Sequence, residues 1–318
     1  MPGIYLVTGG AGFIGSNLVE ALVRQGTRVR VLDNFSNGKK ENLISPDLGD
    51  LVGDGLVELL EGDLLDEDSC VKACRDVSHV FHQAAVGSVP KSVEAPTYSN
   101  DVNIRGTLNI LIAARDAEVK RQVYASSSSL YGNSGDEPKI ESQTPMPASP
   151  YAVSKLAGEQ YCKVFTEVYG LETVCLRYFN VFGPRQDPES RYAAVIPKFI
   201  GQALRGEPLE IHGDGDQSRD FTYVSNIVKA NIRAATIDGI AGEVFNVACG
   251  QRITLNSLVE HLASAANRSL SVKNTTPRPG DIRCSMANIS RAEKLLGYNV
   301  EVDFQEGLDR TYEYFSDK

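Results

Sequence analysis

The chain has 318 residues, enough for two packed lobes with a sizeable core, and its 42% hydrophobic and 23% charged residues exclude disordered, fibrous and repeat architectures. A formal charge of −9 leaves no broad basic field for a nucleic-acid backbone, and no apolar run approaches the ~18 residues that span a bilayer. Six scattered cysteines, with no CxxC pair and no histidine at zinc-ligand spacing, predict reduced thiols and no metal site; the start Met1-Pro2-Gly3-Ile4, lacking a basic segment, predicts a cytoplasmic protein without a cleaved signal.

The first predicted strand, Ile4–Val7, runs into Thr8-Gly9-Gly10-Ala11-Gly12-Phe13-Ile14-Gly15 and then a helix with Ile14, Leu18 and Leu22 on one face and Gly26 as its stop. Gly9, Gly12 and Gly15 stand at GxxGxxG spacing. Such a turn lets backbone approach a pyrophosphate without a Cβ in the way and aims a helix N-terminus at the anion. The second strand, Val29–Leu32, ends at Asp33, 18 residues past Gly15. A carboxylate there accepts hydrogen bonds from both ribose hydroxyls and repels a 2′-phosphate, which predicts NAD over NADP. The third, Val57–Leu60, leads to Asp63, either a contact for the adenine amino group or a plain turn residue.

A fourth strand at Val80–Phe81 precedes His82, which reads as packing near the cofactor. A helix with Leu108, Leu111 and Ile112 on one face and a fifth strand at Val123–Tyr124 follow, then the run Ser126-Ser127-Ser128-Ser129-Leu130-Tyr131-Gly132. Tyr151 and Lys155, four apart, share a helix face. A neighbouring ammonium together with a nicotinium ring favours a phenolate, so Tyr151 is the candidate base and a serine just past the fifth strand its hydroxyl partner. A second YxxxK match, Tyr314 and Lys318, has no hydroxyl-rich strand end beside it. With a sixth strand at Val174–Leu176, the alternation predicts an α/β fold: a doubly wound parallel sheet (Rossmann) over residues 1–180. Beyond it, Gly and Pro break residues 181–318 into a smaller mixed α/β lobe for substrate, with Tyr223–Ala235 and Val244–Val247 candidates to return to the first.

Taken together, TGGAGFIG, DNFSNG, GDLLD, FHQAA, SSSSLYG, YAVSK, RYFNVFGPRQDP, YAAVIPKF, GDGDQSRDF and RPGD, in this order, make the chain resemble the extended short-chain dehydrogenase/reductase family, in its nucleotide-sugar epimerase/dehydratase group. The resemblance covers essentially the whole length. It implies a catalytic set of Tyr151, Lys155 and Ser127, with Ser128 the neighbouring alternative. It implies an NAD site built from Gly9, Gly12, Phe13, Ile14, Gly15, Asp33, Asn34, Asp63, Leu64, Gln83, Ala84 and Ala85 together with Tyr151 and Lys155. For a UDP-sugar it implies Asn180, Arg219 and Arg278 near the diphosphate, Asp281 on a ribose and the uracil near Ala193–Phe199.

Members that eliminate or decarboxylate carry an acidic residue in the loop that here reads SSSSLYG, so the resemblance implies a 4-epimerase. Ser285 stands where members restricted to plain hexoses carry a bulky aromatic, which implies room for a 2-acetamido group. UDP-N-acetylhexosamine and UDP-glucose are therefore the expected substrates. UDP-glucuronate is the alternative, because its epimerases share SSSSxYG; a catalytically silent NAD(H) sensor on the same fold is the reading from another class. The family also pairs the helix after Asn103 and the Tyr151 helix with symmetry mates, which implies a homodimer.

Overall fold

A computed structural model describes residues 3–135, 137–190, 193–276 and 283–317. Its centre is a sheet of seven parallel strands: β1 (Ile4–Thr8), β2 (Val29–Asp33), β3 (Val57–Glu61), β4 (Val77–His82), β5 (Arg121–Ser127), β6 (Glu172–Tyr178) and β7 (Val244–Val247). They lie in the order β7-β6-β5-β4-β1-β2-β3. The order reverses beside β1, whose neighbours are β2 and β4, and this opens the crevice in which ligands of such sheets bind.

Val31, Val80, Val123, Val174 and Leu176 are fully buried, as strands covered on both faces require. The helix Phe13–Arg24 covers one face through Leu18, Val19 and Leu22 and packs against the helix Val224–Thr236. One apolar cluster continues from these residues through Phe182, Phe199 and Phe221 to Phe304 and Leu308, so a single core joins the sheet to the C-terminal half.

In the helix Gly106–Asp116 the expected face is divided. Leu111 enters the core with Ile110, Ala113 and Ala114, whereas Leu108 is half-buried and Ile112 exposed, because the inward face is set by packing on Cys70, Ala73 and Val77. A π-helical turn, Asp101–Arg105, feeds that helix, as such turns often do near functional sites. The helix Pro150–Tyr169 begins with Ser149 accepting from the Ala152 N–H (3.2 Å) and with Pro150 in its first turn, and it ends at Gly170 in the left-handed region. No helix among the described residues is long and apolar enough to cross a membrane.

Candidate active site

The glycine turn is sterically obligatory. Gly9 has φ +67°, and a Cβ on it would stand 2.7 Å from Ala84 Cα; a Cβ on Gly15 would stand 2.1 Å from the Gly9 oxygen. Asp33 closes the turn from below: Oδ2 accepts from the Ala11 N–H (2.9 Å) and Oδ1 from the Phe35 N–H (2.8 Å). Burial pushes its carboxyl above the ordinary value, and these amides offset part of the rise. A carboxylate offers about four lone-pair sites. Two occupied sites leave capacity for a diol, so Asp33 serves the turn and suits a ribose as well. The Cβ-free turn, the helix beginning at Phe13 and this carboxylate together fit a dinucleotide.

Next to it, Asn34 donates to Asp63 Oδ2 (2.8 Å), while Asp63 Oδ1 accepts from the Leu65 N–H (2.9 Å) and Leu64 is buried against Gly106. Gln83 follows β4 but turns its amide inward, donating to Asn231 Oδ1 (3.0 Å) and Tyr178 Oη (3.1 Å). Ala84 and Ala85 continue from it half-buried.

His82 is tied at both ring nitrogens, to Thr8 Oγ1 (2.7 Å) and Thr107 Oγ1 (2.9 Å). Thr107 gives its only hydroxyl proton to the Asn103 carbonyl (2.7 Å), so it accepts from His82 Nε2–H, and Nδ1 must accept from Thr8. Burial, with the Lys155 charge adding to it, pulls the imidazole down to about 3 and keeps it neutral. The connection extends through Asn103, whose side chain accepts from the Val86 N–H (2.7 Å) and donates to Ser154 Oγ (3.0 Å), while Ser154 donates to the Tyr151 carbonyl (2.8 Å). A continuous set of hydrogen bonds therefore links the glycine turn to the helix that carries Tyr151.

Ser127, Tyr151 and Lys155 converge at the carboxyl end of β5. Ser127 Oγ accepts from the N–H (3.2 Å) and hydroxyl (2.9 Å) of Ser129, which leaves its own proton for the Tyr151 oxygen. Ser128 starts the short 3-10 turn Ser128–Tyr131. Lys155 is buried, its Nζ donating to the Ala125 carbonyl (2.8 Å) and standing 6.0 Å from the Tyr151 ring centroid. The expected lowering of the Tyr151 phenol does not arise in the protein alone: burial pushes it above the ordinary value, and the Ser127 hydrogen bond offsets only part of this. The reason is geometric, since the ammonium is aimed at Ala125 rather than at the phenol oxygen. Tyr314, of the second YxxxK match, lies in the C-terminal helix Phe304–Ser316, and Lys318 falls outside the described residues.

Under the serine run lies a buried ion pair that spacing did not reveal. Arg177 clamps Glu159 with Nε to Oε1 (2.9 Å) and Nη2 to Oε2 (2.8 Å), Ser126 donates to Oε1 (2.5 Å), and Arg177 Nη1 donates to Tyr131 Oη (2.9 Å). Burial works against the guanidinium charge, but Glu159 more than offsets it and holds Arg177 above its ordinary value.

On the substrate side, Asn180 adopts a left-handed backbone (φ +34°) and donates to the Asp220 carbonyl (3.2 Å). Arg219 lies in a two-residue strand and donates to its neighbour's carbonyl, Ser218 O (2.9 Å). Asp220, overlooked in the sequence, accepts from the N–H groups of Cys249 (2.9 Å), Gly250 (3.0 Å) and Ala287 (3.1 Å), with burial raising it to about 6. Ser285 is 9% exposed. Its segment is fixed by the Lys139 N–H on the Met286 carbonyl and the Met286 N–H on Glu137 Oε2, both 2.8 Å. Within Ala193–Phe199, Ile196 and Phe199 face the core. Arg278 and Asp281 lie outside the described residues.

The model of the NAD dependent epimerase/dehydratase family matches residues 5–248. The chain is 44% identical to the solved UDP-N-acetylglucosamine 4-epimerase from Methanobrevibacter ruminantium M1 in complex with UDP-N-acetylmuramic acid, with 99% of each chain covered and a TM-score of 0.93. It is 38% identical to the UDP-glucose 4-epimerase of Mycolicibacterium smegmatis over 98% of both chains. It is 33% identical to the UDP-glucuronate 4-epimerase of Thermodesulfobacterium geofontis, over 97% of this chain and 95% of that one.

Proposed function

The chain belongs to the NAD-dependent epimerase/dehydratase family, and we propose that it is a UDP-sugar 4-epimerase acting on UDP-N-acetylglucosamine and UDP-N-acetylgalactosamine, and on UDP-glucose and UDP-galactose. One observation carries 4-epimerisation over elimination or decarboxylation: the serine turn has no acid to spare. Ser127 to Leu130 contain none, and Glu159 beneath them has both oxygens committed to Arg177 and Ser126. Reactions at a further carbon need an acid/base group of their own there.

NAD, held at the glycine turn and Asp33, supplies reversible oxidation at C4 when bound. The remaining chemistry belongs to the side chains. Ser127 presents its proton to the Tyr151 oxygen and so orders that end of the site, while Tyr151 takes and returns the proton of the sugar O4. Lys155, itself 3% exposed, brings a positive charge beside Tyr151, where it favours the phenolate once the sugar and cofactor enclose the site.

The breadth of substrate rests on reading Ser285, a small side chain 9% exposed, as the position that admits a 2-acetamido group where a ring would not. Overpacking by a ring costs typically 1–3 kcal/mol, so Ser285→Tyr is expected to cut kcat/KM for UDP-N-acetylglucosamine by about 10-fold or more while sparing UDP-glucose. The test is product detection by NMR with a panel of UDP-sugars for wild type and variant. An unchanged ratio of the two specificities overturns the gate. Turnover of UDP-glucuronate alone favours the uronate reading, and no turnover of any sugar favours a silent NAD(H) sensor.

The same reading includes a homodimer. The helices Gly106–Asp116 and Pro150–Tyr169 pack together and leave Ile112, Val164 and Val168 outward, the last two 43% and 66% exposed. Apolar side chains left exposed on two neighbouring helices suit a second copy. Light scattering at micromolar concentration is expected to give twice the chain mass, and a monomeric mass refutes it.

A further inference from the structure

Lys155 carries a charge into a place that does little for it. It is 3% exposed, and no carboxylate lies within ion-pair distance among the described residues. Of its three N–H donors, one is accounted for by the Ala125 carbonyl. Burial accordingly pulls its pKa down to about 8. The titratable groups facing it are Tyr151 and Cys162 from its own helix, Tyr124 from β5 and His82 from β4. His82 is neutral, and Glu159, one turn further along the helix, is taken by Arg177.

Tyr124 is fully buried, and its ring centroid lies 5.0 Å from Lys155 Nζ, inside the range in which the negative face of an aromatic ring attracts a cation. Its hydroxyl has no hydrogen-bond partner among the described residues. The helix makes room for it even so: a Cβ on Gly158 would stand 2.1 Å from the Tyr124 oxygen, so a residue poorly suited to helix interiors is kept where the phenol enters. A buried hydroxyl that bonds to nothing is a cost, which makes the ring itself the useful part.

Resting on the reading of Lys155 as the partner of Tyr151, we propose that Tyr124 is a positioning residue for Lys155: the face of its ring, not its hydroxyl, keeps the ammonium charged and directed toward the carboxyl end of β5. Losing that face makes Lys155 give up its proton at lower pH. Neutral Lys155 no longer favours the Tyr151 phenolate, so the alkaline limb of activity must move to lower pH.

The test uses purified protein with its bound nucleotide, labelled with 13C at lysine Cε, the Lys155 resonance being identified by its loss in Lys155→Met. Tyr124→Phe retains the ring face, while Tyr124→Leu and Tyr124→Met replace it with aliphatic volume; Met, being unbranched and adaptable, keeps the test available should Leu fail to fold. Expected is a Lys155 titration and an alkaline limb of kcat/KM unchanged in Tyr124→Phe and lowered by about one pH unit in the aliphatic variants. Equal behaviour of all three, or a Phe variant shifted as far as Met, overturns the proposal. Full turnover in Lys155→Met overturns instead the assignment of Lys155, while the titration still reports on Tyr124.

Discussion

Tyr151→Phe is expected to lower turnover by ~100-fold or more with little change in UDP-sugar affinity, since removing a general base typically costs 10²–10⁴. The substitution removes one oxygen and keeps the ring beside Lys155, so packing of the helix Pro150–Tyr169 is retained. Binding is carried elsewhere, and a loss confined to kcat is the signature of a group that acts in the transition state. Steady-state kinetics combined with calorimetric binding of the UDP-sugar checks both halves. Near wild-type rates in Tyr151→Phe, together with loss of activity in Tyr314→Phe, would place the chemistry at the wrong end of the chain.

The second large effect is on stability. Glu159→Leu strands the Arg177 guanidinium in a site where the two side chains are 3% and 5% exposed, and removing one partner of a buried pair costs about 3–5 kcal/mol. Unfolding entropy of about 2.1 cal/mol/K per residue converts this into a Tm lowered by roughly 4–8 °C. The double variant Glu159→Leu with Arg177→Met removes both charges and is expected to recover most of the loss, because apolar replacement of a whole buried pair is often neutral. Thermal and urea unfolding of the two singles and the double test this. A double variant as unstable as Glu159→Leu alone would mean that the contacts of Arg177 with Tyr131 and of Glu159 with Ser126, rather than the pair itself, hold the region together.

The sheet was legible because strands buried on both faces leave near-continuous apolar runs. Where polar residues interrupt such a run, the pattern marks only part of the strand. Val80–Phe81 is the middle of a strand that begins at Val77, because Ser78 donates to the Ile4 carbonyl (3.2 Å) and His79 stands 4.6 Å from the Tyr5 ring, partners that exist only after β1 and β4 pair. Glycine spacing and the Tyr151–Lys155 interval are local and therefore readable. Glu159 with Arg177, His82 with Thr8 and Asp220 with Ala287 join positions 18, 74 and 67 apart, and periodicity carries no information about such meetings. The inward face of Gly106–Asp116 is not legible for a related reason: apolar residues stand on both of its sides, and only packing decides which one turns inward.

The bonds around His82 also have a direction. Thr8 gives to the ring, the ring gives to Thr107, and Thr107 gives to a carbonyl, so every proton along the line is already spoken for. With its imidazole held at about 3, the residue takes up no charge at any pH where the protein would work. A line so committed is a strut and not a wire: it ties β1 and β4 to the helix Gly106–Asp116 but, ending on a carbonyl, passes no proton onward. A proton taken up at the Tyr151 oxygen, whose partner is Ser127, therefore finds no outlet through this line, which suits a reaction that ends with as many protons on the sugar as it began with.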